Sequence, residues 1–430
     1  MEGNPQTGNN KGWMIPFLAT IFAMMALQMS SLGFSPLLPD IQKEFGMNFS
    51  QVGLFTGMYG LSALLLSVPG GMLAKRFGEK KVLSAGLIVV MLGLILLSQA
   101  WNIGSAFGGR AFWLLGYRPA FVCVMTAIAV TAPLSLRSRS MGMVGAISAF
   151  GAVVGAPFGS AIENAFGWRN GILAYAGMAL LGVIVFYSFY RTRPQASAPA
   201  AKPVPENSKS RTDTPRPGQK PDSLQSGSKA GVPKAKSIFR NPIVYAIALL
   251  EGMVGLGYFS SNFFIPPAVA AVFGSKAMNA AYILSTGFVV AMFANIYFGY
   301  LMDRHNKWTV MGWMMAILIP ASLCLNSTSL PVFWIATAVV LAVGLSAAQQ
   351  CFSLAAELVT GREMGNVMGI VSLGPGIFGY VGPQMLGWLR DWTGGFTAGW
   401  YFLAVVAALS LAIIIYIKQY LKTQKAPAHP

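Results

Sequence analysis

The run from Val82 to Trp101, VLSAGLIVVMLGLILLSQAW, holds twenty residues without a single Asp, Glu, Lys or Arg. As an α-helix rising about 1.5 Å per residue it is about 30 Å long, the thickness of a bilayer's hydrocarbon core. Lipid offers no hydrogen-bond partner to a bare backbone, so such a run crosses as helix. Lys80 and Lys81 stop it on the N-terminal side, and a new run begins a few residues past Trp101. Outward from this stretch the pattern repeats, giving expected spans at 13–37, 51–73, 82–101, 106–133, 141–162, 170–190, 241–266, 278–301, 308–327, 331–357, 364–388 and 397–419. The whole chain is 55% hydrophobic and 10% charged, against about a quarter charged in soluble proteins. The expected fold class is an all-α membrane protein with twelve transmembrane helices.

The sixth and seventh spans are separated by residues 191–240, which carry eleven basic and three acidic residues among many Pro, Ser and Ala. This segment is too polar for a core and is expected to be a disordered linker. It divides the chain into a six-helix half, 1–190, a second six-helix half, 241–420, and a tail, 421–430. The net charge of +17 is read as a topology signal rather than as a nucleic-acid surface, and no nucleic-acid partner is expected. Short loops on the side of the termini hold Lys75, Arg76, Lys80, Lys81, Arg137, Arg139, Arg304, Lys307 and Arg362. The opposite loops hold only Lys43, Arg169, Lys276 and Arg390. Both termini and the linker are therefore expected in the cytoplasm. Cys123, Cys324 and Cys351 all sit in apolar runs without metal-type spacing and read as packing residues; no metal site or cofactor is expected.

The two halves read as copies. At an offset of 228, Gly71 maps to Gly299, Arg76 to Arg304 and Gly116 to Gly344. The loop after span two reads Gly71-Met-Leu-Ala-Lys75-Arg76-Phe-Gly78-Glu79-Lys80-Lys81, and its counterpart reads Gly299-Tyr-Leu-Met-Asp303-Arg304-His305-Asn306-Lys307. Span five contains Gly151-Ala-Val-Val-Gly155-Ala-Pro157-Phe-Gly159, where small residues four apart allow helices to touch and proline bends the helix. With the Gly167-Trp168-Arg169 turn, these stretches resemble the signature loops and fifth-helix motif of the major facilitator superfamily. The resemblance implies two pseudo-symmetric halves around a midplane site, with Gly71, Arg76, Gly299, Asp303, Arg304, Gly155 and Pro157 in gating positions. Lys75 stands where that family usually has Asp, so the first latch departs from the pattern. Gly116-Tyr-Arg118-Pro-Ala-Phe and Phe259-Ser-Ser-Asn262-Phe-Phe-Ile-Pro266-Pro267 further resemble magnetosome-membrane transporters, a branch implied to carry iron.

Ionisable groups in mid-membrane are costly and so mark function. Arg118 lies half way through span four and Arg110 nearer one end; either fits the family's fourth-helix arginine, and both are candidates for anion binding or coupling. In span seven Glu251, Gly255, Tyr258 and Asn262 fall at i, i+4, i+7 and i+11, one helix face. Span one carries Thr20, Gln28, Ser31 and Ser35 in a similar stripe, and Gln349 lies in span ten. Because the family lines its cavity with spans one, four, seven and ten, these stripes and Arg118 are expected to converge, with Glu251 able to carry a proton. There is no Gly-x-x-x-x-Gly-Lys-Ser/Thr loop for ATP phosphates, so the energy source is expected to be a gradient.

The expected function is that of a non-enzymatic secondary transporter, moving a small solute by alternating access as a monomer. The expected setting is the lipid of a bacterial inner membrane or a membrane derived from it, magnetosome membrane included. Iron or an iron chelate is one cargo, and an organic anion or drug moved with protons is another. A scaffold or sensor that keeps the fold and binds partners through its linker is the rival from a different class.

Overall fold

The computed structural model describes residues 14–131, 137–190, 242–274, 277–357 and 364–425; the expected linker at 191–240 lies outside them. Among the described residues the chain is helical, with no strand. The first half contains α1 (Met14–Ser31), α2 (Leu38–Phe45), α3 (Phe49–Phe77), α4 (Glu79–Ser98), α5 (Ile103–Thr131), α6 (Arg137–Phe166) and α7 (Trp168–Phe189). The second contains α8 (Pro242–Phe273), α9 (Ala277–Arg304), α10 (Lys307–Cys324), α11 (Leu330–Glu357), α12 (Met364–Thr393) and α13 (Thr397–Lys425). α1 and α2 together form the first of twelve spans. Ten spans are long and apolar enough to cross a bilayer by those measures alone; α5, which carries Arg110 and Arg118, and α12 complete the twelve.

The helices differ from the apolar runs mainly at their ends. The first span breaks after Ser31, passes a short 3-10 turn at Ser35–Leu37 and resumes as α2 up to Phe45. Pro36 and Pro39 cause the break, since neither can donate the i to i−4 bond that a continuous helix needs. α3 reaches Phe77 and α13 Lys425, past the expected 73 and 419. Charged ends cost little at the interface, where side chains reach water while the helical backbone stays bonded.

The internal repeat covers every helix. Adding 228 to the starts of the six spans of the first half (14, 49, 79, 103, 137, 168) gives 242, 277, 307, 331, 365 and 396; the observed starts are 242, 277, 307, 330, 364 and 397. The contacts between halves obey the same symmetry. α3 packs on α12 and α6 packs on α9. The repeat relates span two to span eight and span five to span eleven, so one interface maps onto the other.

Within the first half, α1 and α6 meet backbone to backbone. A Cβ on Gly155 would stand 2.7 Å from Met29 Cα, and one on Gly33 would stand 2.6 Å from Gly155 C. Tyr175 Oη, fully buried, lies 2.6 Å from Gly33 O and 2.8 Å from Gly155 O and donates into this crossing. A side chain at residue 155 meets backbone, which cannot rotate aside as a rotamer could. We therefore expect Gly155→Val to destabilise the protein by about 1–3 kcal/mol or to prevent its folding. Gly177→Val, in open space, should be neutral. Melting of the two purified variants by tryptophan fluorescence checks this, and equal melting temperatures would refute it.

Candidate functional site

Among the described residues, the close contacts across the seam between the halves lie along one part of its length. α3 starts at the face opposite the termini, here the distal face, and runs toward the terminal face, while α12 runs the other way. Gly53, Gly57 and Gly60 form one glycine edge of α3 pressed on the α12 backbone. A Cβ on Gly57 would stand 2.7 Å from Tyr380 O; one on Gly53 would strike Pro383 O and one on Gly60 would strike Tyr380 N. Three turns beyond Gly60 on the same edge, Gly71 has nothing within 4 Å among the described residues, and Val68 is 68% exposed. The symmetry-related seam is tied by Ser285 Oγ donating to Val153 O at 3.1 Å.

The distal face carries a latch. Asp391, in the last turn of α12, accepts from Phe49 N at 2.9 Å, Ser50 N at 2.7 Å and Ser50 Oγ at 2.6 Å. The first N–H groups of α3 lack helical partners and sit at its positive end, so a carboxylate from the other half suits them. Asn48 takes the next N–H, from Gln51, in a capping box. Beside them the Arg390 guanidinium carbon lies 4.7 Å from the Phe49 ring centroid, and Phe49 meets Phe396 edge-on at 5.4 Å. On the terminal face, the expected gating residues Arg76, Asp303 and Arg304 are exposed, and among the described residues they make no salt bridge. Arg76 and Arg304 instead lie over their neighbours Phe77 and Tyr300, at 5.3 and 4.5 Å.

Arg118 sits in mid-span beneath the closed part of the seam. Its guanidinium carbon is 4.4 Å from the Tyr59 ring centroid, with Phe121 and Tyr117 at 5.8 and 5.9 Å. Tyr59 in turn touches Phe259 of the other half, 5.1 Å between centroids. Arg118 makes two hydrogen bonds among the described residues, to Ser62 Oγ and Tyr59 O, both long at 3.4 Å. It is only partly buried. A guanidinium has five donors, so this one keeps capacity for an anion. Gln28 joins the cluster: Tyr117 Oη donates to Gln28 Oε1 at 2.5 Å, leaving Tyr59 Oη, 3.4 Å away, to donate to Tyr117 Oη.

Arg110 is a different object. It is fully buried and its three nitrogens have no hydrogen-bond partner among the described residues. Trp113, Phe34 and Phe55 enclose its guanidinium carbon at 4.1, 4.8 and 5.5 Å. Cation–π contacts of about 0.5–2 kcal/mol each offset only part of a desolvation cost of several kcal/mol. The rings hold the cation in place, yet they close off its approach to a solute.

Of the two stripes, Gln28 of span one reaches the Arg118 cluster through Tyr117, and Tyr258 of span seven neighbours it through Phe259. Glu251 is 3% exposed, enclosed within the second half beside Cys351 of α11, and bonds neither to Arg118 nor to Asn262. Tyr258 and Asn262 are buried on the same helix, their polar atoms unpaired, and Ser31 Oγ is likewise buried and unpaired. Thr20 and Ser35 bond to carbonyls of their own segment, Pro16 O and Leu32 O. Gln349 is exposed on α11, whereas Gln350 reaches toward Gly299. Sequence reasoning missed Tyr59, Ser62, Tyr117 and Phe121 around Arg118 and Asp391 at the distal latch. The signal for the last was present, because an acid at the very end of an apolar span has few uses other than capping.

A family model described as Major Facilitator Superfamily matches residues 17–325 and again 247–429. The chain belongs to the major facilitator superfamily. The solved structures similar to it have the same fold. A bacterial homolog of the human lysosomal transporter Spinster, inward-facing and occupied, superposes with a TM-score of 0.78 at 15% identity, covering 98% of this chain and 100% of that one. The same homolog, inward-facing and unoccupied, gives 0.73 at 17%, with the same coverage. A variant of the nucleoside transporter NupG gives 0.72 at 12%, covering 94% and 99%. The protein is thus a twelve-span secondary transporter of this superfamily.

The Asp391 latch joins the halves at the distal face. Charge-assisted hydrogen bonds are worth about 1.5–3 kcal/mol when sheltered and less at an exposed site such as this. Asp391→Ala should therefore raise the distal-open population about tenfold. A cysteine placed at Thr56, fully buried in α3, should then react about tenfold faster with a small maleimide. An unchanged rate would refute the latch.

Proposed function

We propose that this transporter carries a small organic anion, or a metal ion wrapped in an anionic chelate, and that the solute is held at Arg118. One observation carries the reading: a mid-membrane guanidinium that is stacked on an aromatic ring, partly accessible and short of strong partners. A buried cation without a carboxylate is expensive, and a bound anion would supply the missing charge. The walls of Tyr59, Tyr117, Phe121 and Phe259 suit a planar, partly apolar solute.

The resemblance to magnetosome-membrane transporters implies iron as cargo. Naked iron prefers several oxygen or nitrogen ligands, and among the described residues no three His, Cys, Asp or Glu side chains come together. An iron chelate brings its own ligands and presents carboxylate or phenolate charge, which Arg118 is fitted to receive.

Alternating access follows from the seam. With the distal part shut and the terminal part apart, a solute reaches Arg118 from the terminal face. Rocking the halves would part Tyr59 from Phe259 and Asp391 from Ser50, and close the glycine edge toward Gly71. The terminal face is the cytoplasmic one in this reading, on the strength of the nine basic loop residues against four. Glu251, enclosed without a counter-ion, is the coupling residue, binding and releasing a proton as the second half rearranges.

Arg118→Ala is expected to lower affinity for organic anions or anionic iron chelates by about tenfold or more, with Arg118→Lys recovering part of it. Glu251→Gln should leave binding intact and abolish pH-driven accumulation in proteoliposomes. Thermal-shift titration reads the first and flux the second. Wild-type affinity in Arg118→Ala would overturn the binding site, and pH-driven uptake by Glu251→Gln would overturn the coupling.

A further inference from the structure

Away from the central site, on the outside of the first half, α3, α4 and α5 leave an open groove of about 330 Å³. Its floor is bare backbone. Gly86 and Gly116 cross so closely that a Cβ on Gly86 would lie 2.8 Å from Gly116 O, and Pro119 lies under Gly70 in the same way. Leu73 and Phe77 of α3 form one wall, Val82, Ala85 and Val89 of α4 the other, and Leu115 of α5 closes the deep end. Leu73, Phe77 and Leu115 are 40, 51 and 51% exposed, so the groove faces the lipid tails.

One end differs from the rest. Lys81 lines the mouth at the terminal face, and the Arg76 guanidinium stands 5.3 Å over the ring of Phe77, which is itself a wall of the groove. Both cations are exposed, and neither has a carboxylate partner among the described residues. The nearby acid does not neutralise them: Glu79 is engaged by Tyr190 Oη at 3.2 Å, on the α7 side. Lys80 also turns to α7, over the Tyr187 ring at 4.6 Å. The mouth is thus a local excess of positive charge at the depth of lipid headgroups, above a slot without polar side chains.

The geometry points to a binding site for one anionic phospholipid, with an acyl chain lying along Gly86, Gly116 and Pro119 and the phosphate held by Lys81 and Arg76. The chain fills a space that no side chain of the protein fills, and the headgroup supplies the anion that the two cations lack. Juxtamembrane cations attract anionic headgroups by about 1 kcal/mol each, which sets a preference over zwitterionic lipid. The site is separate from the transport cavity, on the opposite face of α5 from Tyr117.

Native mass spectrometry of the full-length protein in detergent, titrated with equimolar phosphatidylglycerol and phosphatidylcholine of identical chains, tests this. The wild type should retain one phosphatidylglycerol with about a fivefold or greater preference. Lys81→Gln with Arg76→Gln should bind both lipids equally. Leu115→Trp, and separately Ala85→Phe, should occupy the slot and reduce both adducts; each changes an exposed position, so one serves if the other misfolds. Glycerol phosphate should not compete, because the chain carries much of the binding. Equal lipid preference in the wild type, an unchanged preference after loss of both cations, or competition by glycerol phosphate alone would each overturn the proposal.

Discussion

The structure depends on direct backbone contact between α3 and α12. In lipid the usual hydrophobic drive for helix association is absent, so helices hold together by close packing and by polar bonds. Gly53, Gly57 and Gly60 let α3 lie on the backbone of α12 with no side chain between, and Asp391 adds a charged clasp at the end of that seam. The repeat maps this seam onto the contact of α6 with α9.

Arg118 takes its meaning from that position. It hangs from a ring that makes a cross-half contact, Tyr59 on Phe259, so the charged group and the closed seam share a residue. Arg110, eight residues earlier on the same helix, shows the contrasting solution, a cation locked in an aromatic box and spent on the interior of one half.

Much of this was legible in the sequence, for a physical reason. A run such as 82–101 has no soluble alternative, and a repeat offset of 228 seen at three residues extends to all six helices because each half must solve the same packing problem. The breaks and ends were less legible. Pro36 and Pro39 divide the first span at a place that apolarity alone does not mark. The state of the seam could not be read at all, since Gly60 and Gly71 are the same residue on the same edge and only one is in contact. Which arginine is accessible was also hidden, because Phe34 and Phe55 reach Arg110 from other helices. The sequence pattern of span seven does not show that Glu251 is enclosed in its own half beside Cys351 while Tyr258 lies against Phe259.

The claim that the seam is shut at one end and parted at the other is tested most directly by two spin-label separations in a cysteine-free background. One pair, at residues 43 and 393, reports the distal face, and the other, at 77 and 305, reports the terminal face. The account predicts a short, narrow distal separation together with a long terminal one in the resting protein. A distal separation that is long, or two ends that are equally close, would contradict it.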